Sequence, residues 1–258
     1  MVKISYSRKL RKISSGLFGS LLDFSIFSIA LLAQAPSKRS PIEIIDRSIR
    51  AVAAIRPVNF NRAVYNARHK GYLEKRKDAY RLTKLGRERL SRILPSYDAK
   101  RFWDGRLFLV IYDIPEDKKR IRDYLRDYLK RLGSALLQKS VWLTPYNPTI
   151  LLTEFARKNK IKGLVLVSEL KPEGLMGGKS FLEVIRRIYG LDLINDDYHN
   201  FCKEVEERKL TAQQIILEYL SILKRDPQLP FELLPGNWWG EDARGVYKKV
   251  IATFRQKQ

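Results

Sequence analysis

The sequence predicts an α+β protein in three consecutive parts: a helical part ending in a β-hairpin (residues 1–95), a small central sheet unit (104–172) and a helical C-terminal part (180–258). Three observations predict this. Residues 20–90 read as helical segments followed by two short strands. Between Trp103 and Tyr146 an unbroken apolar run is followed by apolar residues at helical spacing and then by a second strand-like run. From Phe181 onward, apolar residues recur at helical spacing to the end of the chain.

Basic residues from Lys3 to Lys12 precede an apolar stretch, Leu17 to Ala33, and Ala33-Gln34-Ala35 has the small-residue pattern of an export cleavage site. Asp23 and the small or polar residues Gly19, Ser20, Ser25 and Ser28 make that stretch too polar for a membrane span. It reads as a first core helix, near Ser20–Ala33. Ser40-Pro41-Ile42-Glu43 is a capping-box pattern with Pro at the first helical position. Ile42, Ile45, Ile49 and Val52 line the second helix, which Arg56-Pro57 breaks.

The third helix spans Asn59–Lys70, with Phe60, Ala63, Val64 and Ala67 on its inner face. Its other face carries Asn61, Arg62, Tyr65, Asn66, Arg68 and His69. These side chains are donors, acceptors and cations of the kind that reach base edges and phosphates in a major groove. Two strands follow, Tyr72–Glu74 and Ala79–Leu82, joined by the tip Lys75-Arg76-Lys77-Asp78. Three compact helices and a hairpin form a winged helix-turn-helix, whose basic tip is expected to touch the sugar–phosphate backbone. Thr83-Lys84-Leu85-Gly86, leading into Arg87–Leu90, resembles the "LT-x-x-G" strand exit of winged-helix regulators. The plainer alternative is a solvated, charged helix and hairpin that bind nothing.

Charge favours the first reading. The chain carries a formal net charge of +22. Residues 1–100 hold 22 Lys and Arg against 7 Asp and Glu, and the remaining 158 hold 28 against 21. Positive charge concentrated at one end points to a polyanion, nucleic acid before a membrane surface. One cysteine, Cys202, excludes an internal disulfide framework and a multi-thiolate zinc site, and a reducing cytoplasm fits. With only His69 and His199, histidine-based nucleophilic catalysis has little material.

Ser96–Arg106 is a polar linker. Leu107–Tyr112 reads as a strand buried on both faces, ended by Asp113. Pro115 opens a helix lined by Ile121, Tyr124, Leu125, Tyr128 and Leu132, with Gly133 at its C-cap. Leu137, Val141 and Leu143 alternate as a half-buried strand, interrupted by Lys139. A helix starts at Asn147-Pro148, and Gly163–Leu170 holds another strand. A ferredoxin-like domain needs one more strand than this order supplies. Either Ser134–Thr144 is split by a tight bend or the fold is abbreviated.

Gly174–Ser180 approaches a phosphate-binding loop, but it is one residue short and Glu173 stands where the first glycine should be, so a connector is expected. Asp192, Asp196, Asp197 and His199 cluster ahead of a helix over Tyr198–Arg208, where acids suit the helix dipole. No metal or cofactor is expected there. Thr211 caps a further helix. Pro227, Pro230 and Pro235 fix an extended segment, and a last helix presents Ala243, Val246, Tyr247, Val250 and Phe254.

The apolar strand ending in Tyr112-Asp113-Ile114-Pro115, the basic helix, and Leu137-Gln138-Lys139-Ser140-Val141-Trp142 resemble the ferredoxin-like domain of the small CRISPR-associated adaptation endonuclease. They resemble more closely its version in the middle of PaaX-type transcriptional regulators, the family named for repression of phenylacetate degradation. The segment Asp226-Pro227-Gln228-Leu229-Pro230-Phe231-Glu232-Leu233-Leu234-Pro235, followed by Trp, Gly and a helix, is similar to the end of those regulators. With the N-terminal part, three features stand in the family's order over nearly the whole chain. The resemblance implies a cytoplasmic, dimeric, DNA-binding repressor relieved by a small-molecule effector, whose identity the sequence does not supply. Implied contacts to duplex DNA fall on Asn61, Arg62, Tyr65, Asn66, Arg68, His69, Lys75, Arg76 and Lys77. The alternative is a metal-dependent nuclease. In the CRISPR-associated relatives an Asp at the position of Asp113 meets its symmetry mate across a dimer, where the pair can hold a divalent metal. The residues alone make Asp113 a cap for the helix opened by Pro115.

Overall fold

The computed structural model describes residues 16–32, 57–76, 79–161, 163–171, 180–208 and 210–255. The helix expected after Ser40, the tip residues Lys77 and Asp78, and the glycine-rich stretch up to Lys179 lie outside them. The chain is α+β and forms two compact units, neither continuous in sequence. One contains residues up to Tyr97, Asn195–Asp226 and the stretch from Trp239. The other contains Asp98–Ile194 and Pro227–Trp238.

In the first unit, α1 (Leu21–Leu32) packs against α2 (Pro57–His69) and α3 (Lys84–Ile93). Its apolar residues leave little room for solvent: Phe24, Ile26, Phe27, Ile29 and Leu31 are all buried, with Phe18 edge-on to Phe24 at 5.6 Å. The one acid in this helix, Asp23, is buried too, and accepts a charge-assisted bond from Arg89 Nε of α3 at 2.5 Å. That bond holds the Arg89 guanidinium above its ordinary pKa. The same guanidinium lies over the Tyr72 ring at 5.0 Å. The polarity that argued against a membrane span is therefore an internal ion pair. Among the described residues, no helix is long and apolar enough to cross a membrane.

Strands β1 (Leu73–Arg76) and β2 (Ala79–Leu82) form an antiparallel hairpin, with Lys75 opposite Tyr80 and Glu74 opposite Arg81. The first unit also holds most of α7 (Leu191–Glu207), with α8 (Ala212–Leu223) and α9 (Gly240–Arg255). A capping box, Thr211 with Gln214, starts α8. This helix is apolar nearly all round and is buried from Ile215 to Leu220. The Tyr219 ring stacks on Tyr247 of α9 at 4.4 Å.

The second unit is the central sheet. Its strands β3 (Leu107–Asp113), β4 (Ala135–Gln138), β5 (Val141–Thr144) and β6 (Leu164–Leu170) run antiparallel in the order β4-β5-β3-β6. Helices α4 (Lys119–Arg131) and α5 (Thr149–Lys158) complete a βαββαβ path, the ferredoxin-like topology. The missing strand comes from splitting Ser134–Thr144. Lys139 adopts φ +33° in the turn between β4 and β5, so it ends a strand instead of interrupting one. One face of the sheet packs on α4 and α5 through Val110, Tyr112, Trp142, Leu125, Leu129, Leu152 and Phe155. On the other, Leu107 and Leu143 meet Ile185 of α6 (Phe181–Tyr189), Leu191, Leu229 and Leu233. The proline-rich segment is thus anchored by leucines that enter this core.

Two expectations need correction. Asp113 does not cap a helix. Pro115 opens a 3₁₀ turn (Glu116–Lys118), and neither that turn nor α4 has a side-chain cap. The acids near residue 192 do not precede a helix starting at Tyr198. Gly190, at φ +63°, ends α6, and α7 begins at once, so they lie on its first turns. There Asp192 pairs with Arg186 at 2.6 Å and Asp197 with Arg225 at 2.7 Å, while His199 lies 4.6 Å from the Trp239 ring.

Burial, with Asp242 and Glu206 nearby, pushes the Cys202 thiol up to about 11. Burial also raises the Tyr189 and Tyr219 hydroxyls above their ordinary range. In all three the folded state favours the neutral form. Their contribution is complete below the unfolded thiol's pKa of about 8.5 and declines above it, for Cys202 until pH has passed the folded value. We expect Cys202 to resist a thiol-specific reagent at pH 8 until denaturant is added. Urea midpoints should stay level from pH 7 to 8 and fall above about pH 9. Rapid labelling of the native protein at pH 8 would contradict this.

Candidate nucleic-acid interface

Helix α2 separates its faces as its spacing requires. Phe60, Ala63, Val64 and Ala67 are buried, and Asn61, Arg62, Tyr65, Asn66, Arg68 and His69 are all exposed, Tyr65 by 64%. Between Asn59 and His69 the helix has no acidic residue, so its outward face is cationic and amide-bearing. Arg68 and His69 sit in its last turn, where the helix dipole favours positive charge.

A short network sets the hairpin against this helix. Gly71, at φ +72°, turns the chain back, and the Tyr72 N–H donates to Ala67 O at 2.9 Å. Thr83 then joins three segments. Its hydroxyl donates to Gly71 O at 2.6 Å and accepts the Gly86 N–H at 3.1 Å, which caps α3, while its own N–H donates to Tyr72 O at 3.1 Å. Gly86 is required by its surroundings: a Cβ there would stand 2.2 Å from Tyr72 O. The Thr and Gly of the strand-exit motif therefore position the hairpin.

As a result β1 runs beside the C-terminal half of α2. Tyr65, Arg68, His69, Leu73, Glu74 and Lys75 line a shallow groove of about 270 Å³. The Tyr65 and His69 rings are 6.4 Å apart, and Arg68 sits over the Tyr80 ring at 5.8 Å. The groove offers a cation (Lys75), a planar guanidinium held on an aromatic face and two exposed rings. Such a set can bind phosphate and stack on, or hydrogen-bond to, base edges. Asn61, Arg62 and Asn66 are on the exposed side of α2 but do not line the groove. Arg76 belongs to β1, opposite Ala79; Lys77 lies outside the described residues. Sequence reasoning missed Glu74 and Tyr80. The register extends β1 to Arg76 and sets Lys75 opposite Tyr80, whereas the sequence pattern put Lys75 and Arg76 in the tip.

Asp113, the other candidate, is exposed at the end of β3, where it pairs in register with Leu164 of β6. Its acidic neighbours have basic partners: Asp117 with Lys118 at 3.0 Å and Glu116 with Arg122 at 3.9 Å. Among the described residues, no group of three or more His, Cys, Asp or Glu could hold a metal ion.

Comparison with known proteins places this architecture. Residues 100–178 match the family model described as the PaaX protein central Cas2-like domain, and residues 189–258 match the PaaX-like protein C-terminal domain. The chain belongs to the PaaX family. Its βαββαβ unit is thus the Cas2-like domain of that family. Among solved structures, the uncharacterized protein Rv0674 from Mycobacterium tuberculosis is similar in fold. The TM-score is 0.58 and the identity 20%, over 92% of this chain and 97% of the other. No curated protein matches this PaaX-family chain.

Proposed function

We propose that this PaaX-family protein is a sequence-specific, DNA-binding transcriptional repressor that acts as a dimer. Residues 1–95 form a winged helix that reads a duplex site, 104–172 a ferredoxin-like domain that dimerises, and 180–258 a helical part that holds the protomers together or gates an effector. The observation that carries this reading is the acid-free outward side of α2 beside the Lys75-bearing hairpin. In this reading α2 enters the major groove. Arg62, Asn66 and His69 contact base edges, and Asn61, Tyr65 and Arg68 support them at the groove walls. Lys75, Arg76 and Lys77 meet phosphates and fix register without reading sequence. Repression follows from occupancy of a site that transcription needs, and the protein is not an enzyme.

The test is incubation of the purified protein with labelled duplex DNA and unlabelled competitor, with Mg²⁺ or Mn²⁺ and then with EDTA, scoring both retardation and cleavage. Retardation that resists random competitor, with intact DNA in both conditions and unchanged binding by Asp113→Ala, is expected. Metal-dependent cleavage abolished by Asp113→Ala would instead make the protein a nuclease with a DNA-targeting arm.

A further inference from the structure

The two edges of the central sheet differ. At one edge, β4 is four residues long, shifts register between Leu136 and Gln138 and ends at Lys139 in a left-handed turn. Short length, a bulge and lysine are the usual means of preventing another strand from pairing. At the other edge, β6 has none of them. It is seven residues, Leu-Val-Leu-Val-Ser-Glu-Leu, fully paired with β3 on its inner side and last among the described strands of the sheet. It contains no Pro, Gly or Lys, and Leu164 and Leu166 are 58% and 43% exposed. A long apolar edge of this kind is a template for strand addition.

Charge identifies the added strand. Two copies of a chain with net charge +22 repel wherever their lysines and arginines approach. The β6 edge has a single charge, Glu169, which Arg106 reaches at 3.5 Å. Copies can meet here without bringing cations together. The strand is also compatible with its own reverse. Antiparallel pairing over its full length places Leu164 opposite Leu170, Val165 opposite Glu169, Leu166 opposite Ser168 and Val167 opposite its own mate. No like charges face each other.

We propose that two copies join through β6, antiparallel about a two-fold axis at Val167, so that their four-stranded sheets become one continuous sheet. This rests on the dimeric reading above and deepens it. Three proteins test it by light scattering and non-reducing electrophoresis. The Leu166→Lys plus Ser168→Lys variant sets lysine against lysine at positions already exposed in the protomer. It should reduce the mass from twice 30.2 kDa to 30.2 kDa without changing circular dichroism. Val167→Cys should form a covalent dimer under mild oxidation, since directly opposed residues lie within disulfide reach, and Leu164→Cys should not. A dimer that survives the paired lysines, with Val167→Cys uncrosslinked, overturns the β6 assignment while leaving the dimer. A monomeric parent protein overturns both.

Discussion

Replacing Gly86 by Ala should lower the unfolding free energy of the N-terminal unit by about 3 kcal/mol, at the upper end for a single added methyl group. The new Cβ would lie 2.2 Å from the Tyr72 carbonyl oxygen, and both partners are backbone or fixed to it, so neither can turn aside. Relief requires α3 to move away from the hairpin. That movement stretches the Thr83 cap on the Gly86 N–H, an interaction of about 1 kcal/mol, and the Thr83 N–H bond to Tyr72 O. It also strains the Arg89–Asp23 pair, whose carboxylate is buried. Thermal unfolding should shift down by about 6 °C or more for a chain of this size. Gly190→Ala is the control. Gly190 has φ +63° but open space around it, so only backbone strain of about 1 kcal/mol should appear. Equal stability of Gly86→Ala and the parent would contradict the close approach of α3 to Tyr72.

The second large effect is functional and separates two modes of DNA binding. Arg62→Ala should cost about 1–3 kcal/mol on the preferred duplex and little on random DNA. Arg62 is exposed on α2, so its removal should leave the fold unchanged. Lys75→Ala combined with Lys77→Ala, Arg76 retained, should weaken binding to all sequences alike. The slope of log K against log salt should become shallower by about 0.9 for each phosphate that is no longer neutralised. If both variants reduced specific and random binding in the same proportion, the assignment of base-reading and phosphate-holding roles would fail.

Burial made most of the fold legible. The apolar runs that became β3 and β6, the amphipathic segments that became α2 and α4, and the largely apolar segment that became α8 follow from spacing alone. The parts that were not legible share a cause: tertiary packing or dihedrals that local pattern does not encode. Lys139-Ser140 makes the turn that completes the ferredoxin-like sheet, yet lysine is not a usual residue at positive φ in a hairpin turn, so one strand or two stayed open. Pro115 suggested a helix start and made Asp113 a cap, but it opens a 3₁₀ turn and the helix begins at Lys119. A single glycine between α6 and α7 was too little punctuation to locate the start of α7. At the candidate interface, the buried and exposed sides of α2 were readable from sequence. The groove was not, because it depends on Gly86 meeting Tyr72 and on the hairpin register that brings Lys75 and Tyr80 together.

Whether the protein selects a DNA sequence can be read from a pool of random duplexes incubated with the full chain. Repeated rounds at near-physiological salt should enrich an inverted repeat whose half-sites lie one helical turn, about 10 base pairs, or a multiple of it apart. A pool that keeps its starting composition while the protein retains bulk DNA would show that the basic charge binds phosphate without reading sequence.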